Sequence, residues 1–140
     1  MKVNAVGVFP ANMEQSVRFY ENVLNMKAFA AGGQEYWDGG GYAEFHMEGD
    51  CGFGLFSRKD LEAMISQKLD DPSGINGRTG ISLDYPEYGD VDKEFHRIIS
   101  AGATPVLEPV DMPWGQRTSY VADPDGNLIE IASMGQGEQK

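Results

Sequence analysis

An α+β fold made of two consecutive β-α-β-β-β modules is what the sequence predicts, on three observations. Strand-like and helix-like stretches follow one another in an order that runs through twice with a period of about 75 residues, matching Ala5 to Gly80 and Leu55 to Glu130. Each half carries an amphipathic helix, with Phe19-Tyr20 on the first matching Phe95-His96 on the second. Each half also ends in a hairpin, turning at Glu48 to Cys51 in the first and at Asp123-Pro124-Asp125-Gly126 in the second. In the latter, Pro presets φ, Asp can bond nearby backbone and Gly supplies φ > 0. At 140 residues the chain suits one domain. A chain of that size buries roughly two-thirds of its unfolded surface and needs no disulfide or metal to fold.

The elements follow from local chemistry. Val3 to Phe9 reads as a strand stopped by Pro10. Asn12 with Gln15 three residues on makes a capping box, and Met13, Val17, Tyr20 and Leu24 continue at helical spacing to about Asn25. Met26 to Ala31 is a strand, followed by a glycine-rich connection through Gly32-Gly33 and Gly39-Gly40-Gly41 that carries Trp37. Tyr42 to Met47 and Gly52 to Ser57 pair as a hairpin, closing module one at residues 1–58. Asp60 to Leu69, with Leu61, Met64, Ile65 and Leu69 at helical spacing, makes a linking helix within 59–77, and Asp70-Asp71-Pro72-Ser73-Gly74 breaks it. Module two, 78–134, opens with a strand from Thr79 to Tyr85. A helix capped by Asp90 turns Val91, Phe95, Ile98 and Ile99 inward and ends at Gly102. Thr104 to Leu107 and the last hairpin complete it, leaving a polar tail at 135–140.

Register decides which side chains share a face. A four-residue loop at Asp123 to Gly126 pairs Ser119 with Glu130 and places Arg117, Ser119, Val121, Leu128 and Glu130 together. Thr118, Tyr120, Ile129 and Ile131 then pack on the helix. The same loop at Glu48 to Cys51 pairs Glu44 with Leu55 and His46 with Phe53. Tyr42, Glu44 and His46 then lie on one face and Ala43, Phe45 and Met47 on the other. An ion pair between Arg117 and Glu130 is expected on the face they share.

The ending Tyr-Val-Ala-Asp-Pro-Asp-Gly-Asn-Leu-Ile-Glu-Ile (120–131), with the early Asn-Met-Glu-Gln-Ser-Val-Arg-Phe-Tyr-Glu-Asn-Val-Leu-Asn-Met (12–26), resembles the glyoxalase/bleomycin-resistance/dioxygenase superfamily. The resemblance spans nearly the whole chain. It implies the vicinal oxygen chelate fold, two modules forming a curved mixed sheet around a cleft, and a homodimer. Metal-dependent members carry ligands on the first and last strand of each module, positions that fall here on Ala5, Leu55, Gly80 and Glu130. Only Glu130 can ligate, so no metal or other cofactor is expected. Ring-cleaving dioxygenase chemistry lacks its two histidines. A divalent metal enters only with an alternative reading, a divergent glyoxalase I-like lyase or isomerase using Glu130 as base or ligand. An unorthodox set of Glu44, His46 and Glu130 would serve it.

What remains is a small-molecule cleft. Its apolar candidates are Phe9, Trp37, Tyr42, Phe53, Leu55 and Trp114, although both tryptophans would equally serve to pack loops on the core. Its polar candidates are Glu44, His46, Ser82, Asp84, Arg117, Ser119 and Glu130. His96, beside Arg97 on a helix, reads as a surface residue. The leading reading that the resemblance implies is a metal-free binding protein of the bleomycin-resistance type, sequestering a planar or cationic compound in an acidic, aromatic-lined cleft.

Composition sets the bounds. Eleven Lys and Arg against 22 Asp and Glu, a net charge of −11, argue against nucleic acid; the excess would attract a cationic small ligand, and solubility alone is the other reason for it. No apolar run is long enough to span a membrane, and the N-terminus shows no signal-peptide pattern. The lone Cys51, read as a small buried turn residue, fits a reducing cytoplasm.

Overall fold

The computed structural model describes residues 1–30, 34, 36–70 and 74–135, with the side chain of Arg78 excepted. The Gly32-Gly33 turn, part of the break at Asp71 to Ser73 and most of the polar tail lie outside the described residues. The chain divides into two compact units, Met1–Pro72 and Ser73–Lys140.

Unit one runs β1 (Ala5–Val8), α1 (Met13–Arg18), β2 (Ala28–Phe29), β3 (Tyr42–Phe45), β4 (Gly52–Phe56) and α2 (Arg58–Ile65). The Asn12 side chain caps α1 by accepting from the Gln15 amide at 3.0 Å, as the capping pattern predicts. A π-turn over Phe19–Val23 then widens the helix, the Leu24 amide reaching the Phe19 carbonyl at 3.3 Å, and Asn25 at φ 57° ends it. Val17, Tyr20 and Leu24 are buried as their spacing predicts. Ser57, rather than Asp60, caps α2: its hydroxyl accepts from the Asp60 amide at 3.3 Å. Helix α2 thus starts two residues earlier than expected and belongs to unit one.

Unit two repeats the order with β5 (Asn76–Asp84), α3 (Tyr88–Ser100), β6 (Thr104–Asp111), β7 (Arg117–Ala122) and β8 (Asn127–Ser133). Strand β5 begins inside the stretch read as linker. The N-cap of α3 is Glu87, with Asp90 three residues on returning the bond to the Glu87 amide, so Asp90 is the second half of a capping box and not the cap. Gly102, at φ 117°, ends the helix as expected.

Both sheets have one topology. The first is ordered β1-β4-β3-β2 and the second β5-β8-β7-β6, each with a parallel outer pair and two antiparallel pairs. One face of each is covered by its helix. In unit one Tyr20 meets Phe45 and Phe53 at ring-centroid distances of 5.5 and 5.1 Å. In unit two Val91, Phe95 and Ile98 are buried with Val121, Ile129 and Ile131. The opposite faces are the more open ones.

Both hairpins are one residue out of the expected register. Tyr120 pairs with Glu130 and Val121 with Ile129. Asp123 sets this: its Oδ1 accepts from the Asp125 and Asn127 amides, each at 2.9 Å, and its Oδ2 from Asn127 Nδ2 at 2.9 Å. This Asx-type turn draws Asn127 into the loop. In the first hairpin Phe45 pairs with Phe53 and Glu44 with Gly54, so that the turn centres on Gly49, at φ 92°. A one-residue slip moves one strand's side chains to the other face of the sheet relative to its partner. Phe53 and Leu55, 6% and 1% exposed, therefore point into the core, as do Ser119 and Val121.

Candidate functional site

The open face of the first sheet is a cavity of about 620 Å³ whose lining includes Phe9, Phe29, Tyr42, Glu44, His46 and Phe56. Its floor is bare because Gly7 and Gly54, paired across β1 and β4, have no side chains. A Cβ on Gly54 would stand 3.0 Å from the Ala43 carbonyl and under 4 Å from the Tyr42 ring, so Tyr42 occupies the space over that glycine. The Tyr42 hydroxyl donates to Glu44 Oε1 at 2.8 Å. Burial, and then the neighbouring Glu44 carboxylate, hold the Tyr42 phenol above its ordinary value, so it remains a donor. His46 stacks on Phe29 with centroids 4.1 Å apart and planes 25° from parallel. Phe56 meets the Tyr42 ring edge to face at 6.4 Å. At the end of β1 the Phe9 carbonyl accepts from Arg58 Nε and Nη2 at 3.1 and 3.0 Å, tying this corner to α2.

The open face of the second sheet carries Glu130. Ser82 Oγ donates to its Oε1 at 2.7 Å and Thr118 Oγ1 to its Oε2 at 2.7 Å. Tyr120, opposite Glu130 on β7, is pushed up by burial and by the charge of Glu130, to which it also hydrogen-bonds. Glu130 is therefore held by hydroxyls from both flanking strands.

Arg117 is on the helix-covered side, and the expected ion pair with Glu130 is replaced. Its Nε and Nη2 each reach Asp92 of α3 at 2.7 Å, and its Nη1 reaches Asp111 at 2.9 Å. The fork holds the Asp92 carboxyl below its usual range, while the two carboxylates raise Arg117. Ser119, fully buried, spends its hydroxyl on the Ile131 carbonyl at 3.1 Å. Phe53 and Leu55 belong to the strand that lines the cavity, although their side chains are buried; Ser119 and Arg117 are structural in position, and Phe9, Tyr42, Glu44, His46, Ser82, Asp84 and Glu130 reach open faces.

The tryptophans hold turns. Trp37, half-buried and away from the cavity lining, donates to the Gly40 carbonyl at 3.0 Å. Trp114 is 62% exposed in the β6–β7 turn, its indole N–H on Gln116 Oε1 at 3.0 Å. Asp84 is exposed at the end of β5, and His96 is exposed on α3. Cys51 is exposed rather than buried, because the turn around Gly49 projects it outward. Phe29, Phe56, Thr118 and Tyr120 escaped the sequence reading. A loop parity set by the bonding capacity of Asp123 would have brought the last two to light.

A metal does not fit the donor set. Among the described residues no three His, Cys, Asp or Glu side chains gather closely enough to hold one. Of the inherited positions, Ala5 and Gly80 lack a donor and Leu55 is in the core. By burial and register the position matching Glu130 in unit one is Gly54, also without a donor.

A family model, the Glyoxalase/Bleomycin resistance protein/Dioxygenase superfamily, matches residues 2–131. The chain belongs to that superfamily. Among solved structures, a glyoxalase-related enzyme from Fulvimarina pelagi aligns with a TM-score of 0.78 at 19% identity, over 94% of this chain and 87% of that one. A superfamily protein from Nocardioides aligns at 0.76 and 20%, over 98% and 85%. A lactoylglutathione lyase from Agrobacterium tumefaciens aligns at 0.69 and 18%, over 94% and 92%. These likenesses establish the vicinal oxygen chelate fold. An uncharacterized protein of Mycobacterium bovis is 36% identical over 76 residues, 54% of this chain and 49% of its own length, so the chain spans about half of that relative. Among the described residues no helix is long and apolar enough to cross a membrane.

Proposed function

We propose that the protein binds a small planar compound on the open face of its first sheet, without a metal, and sequesters it. The observation that carries this reading is the aromatic cavity over a glycine floor. Its volume, about 620 Å³, suits a compound of several fused rings. Phe9, Tyr42 and Phe56 offer ring faces and edges to a flat ligand, and the net charge of −11 favours cationic ones. Calorimetric titration with acridine-sized ring systems tests it. Saturable one-to-one binding that weakens severalfold in Phe56→Ala supports the reading. Absence of saturable binding for every flat compound tried overturns it.

A second reading, a divergent lyase or isomerase, draws support from Glu130, which three hydroxyls orient on an open sheet face. In that case Glu130→Gln abolishes turnover while the fold survives, and unchanged turnover removes Glu130 from the chemistry.

A further inference from the structure

Glu44 and Glu130 both stand on open sheet faces, each opposite a neighbouring strand, and they differ in spare bonding capacity. Glu130 has a hydroxyl on each oxygen, at 2.7 and 2.7 Å, and Tyr120 besides. Among the described residues Glu44 has one hydrogen-bond partner, the Tyr42 hydroxyl on Oε1, and none on Oε2, while the residue is half-buried in the cavity lining. An ionised carboxylate accepts at both oxygens, and one that lines a pocket with an oxygen to spare is suited to a ligand donor.

We infer that Glu44, and not Glu130, is the residue that selects the ligand, by accepting an N–H group on Oε2, with Tyr42 as the residue that positions it. The inference rests on the cavity reading above and adds to it the chemical class: a flat ring system bearing a cationic N–H donor at its edge. The geometry is specific to this strand. Tyr42 and Glu44 are two apart on β3 and so share a face. The bond between them passes over the place where Gly54 has no side chain. Tyr42 thereby fixes one oxygen of Glu44 and leaves the other directed by the same bond. A charge-assisted hydrogen bond is about twice as strong as a neutral one, so the cation is the form that gains most.

The test uses the full chain and two probes of nearly equal shape: 9-aminoacridine, a cation at neutral pH with N–H donors, and acridine, which is neutral there. The wild type should bind 9-aminoacridine about tenfold more tightly than acridine, the size expected of a hydrogen bond to a charged group. Glu44→Gln should bring the two affinities together, while Glu130→Gln leaves the preference in place. Tyr42→Phe, which keeps the ring and removes the hydroxyl that holds Glu44, should lower the preference for 9-aminoacridine over acridine. Near-ultraviolet circular dichroism of each variant checks that it is folded. Equal binding of both probes by the wild type, or a preference that survives Glu44→Gln, overturns the selection by Glu44 and leaves the aromatic cavity standing. Loss of the preference in Glu130→Gln as complete as in Glu44→Gln also overturns it. Failure of both probes to bind overturns the cavity reading and this inference with it.

Discussion

The two sheets share strand order, pairing directions and helix cover, yet their open faces are built in opposite ways. In the second, the position between the core residues Ile129 and Ile131 is Glu130, and the flanking strands supply hydroxyls to it. In the first, the matching position between Phe53 and Leu55 is Gly54, and the carboxylate has moved to the neighbouring strand as Glu44. The flanking Ser82 and Thr118 of one face correspond to Gly7 and Tyr42 of the other. One scaffold thus presents a filled, saturated polar face and an emptied, aromatic one. The absence of a side chain at Gly54 is what makes the floor of the cavity.

The largest difference between the units should appear at their hairpin turns. Gly49 and Gly126 both adopt positive φ, 92° and 81°. A Cβ on Gly49 meets nothing within 4 Å, whereas one on Gly126 runs into the Gly74 backbone. Gly49→Ala should cost about 1 kcal/mol, the penalty of the left-handed region alone. Gly126→Ala adds a backbone collision that has to be relieved by moving the β5 entry, and should cost about 2–4 kcal/mol in all. Urea unfolding midpoints measure both. Equal costs would mean that the second turn is no tighter than the first.

The carboxylates sharpen the comparison at a smaller scale. Glu130→Leu leaves three hydroxyls without their acceptor, Thr118 among them at 3% exposure, and should destabilise by about 1–3 kcal/mol. Glu44→Leu frees only Tyr42, which is 40% exposed and can turn to water, so its cost should stay within about 0.5 kcal/mol. The same denaturation series reads both. A larger loss for Glu44→Leu would reverse the assignment of the saturated and the open carboxylate.

Element order, the helix faces and the module repeat could be read from the chain because each rests on local spacing: Asn12 before Gln15, or Val91, Phe95 and Ile98 along one helix. The site was legible only in part, and the failures trace to parity. Alternation along β3 correctly put Tyr42 and Glu44 together, since it needs no partner strand. Assigning Phe53, Leu55 and Ser119 required the turn length, which the bonds of Asp123 and the φ of Gly49 decide. Once the parity changed, Arg117 left the Glu130 face and Tyr120 joined it. Cavity walls such as Phe29 and Phe56 depend on where strands end, which periodicity does not report.

The last difference between the units is how each helix is tied to its sheet. Arg117 of β7 grips Asp92 of α3, whereas the matching position in unit one, just before β3, is Gly41, which has no side chain to reach a helix. The ion pair on α1, Arg18 with Glu14, is internal to the helix and exposed on both sides. Because the fork lowers the Asp92 carboxyl below its unfolded value of 3.8, the native state binds that proton less readily than the unfolded chain. The stabilisation is therefore fully present above that value and is lost as pH falls through the lower native one. Asp92 is 41% exposed, which limits the contribution to about 0.5–1 kcal/mol after solvent screening. Asp92→Asn should lower stability by that amount at pH 7, and the gap to wild type should close as the pH falls below 3.8. Amide exchange should register the loss in α3 and not in α1. A gap that is the same at pH 7 and in acid would assign the effect of the substitution to packing rather than to the charge pair, and would leave the two helices tied to their sheets by the same kind of force.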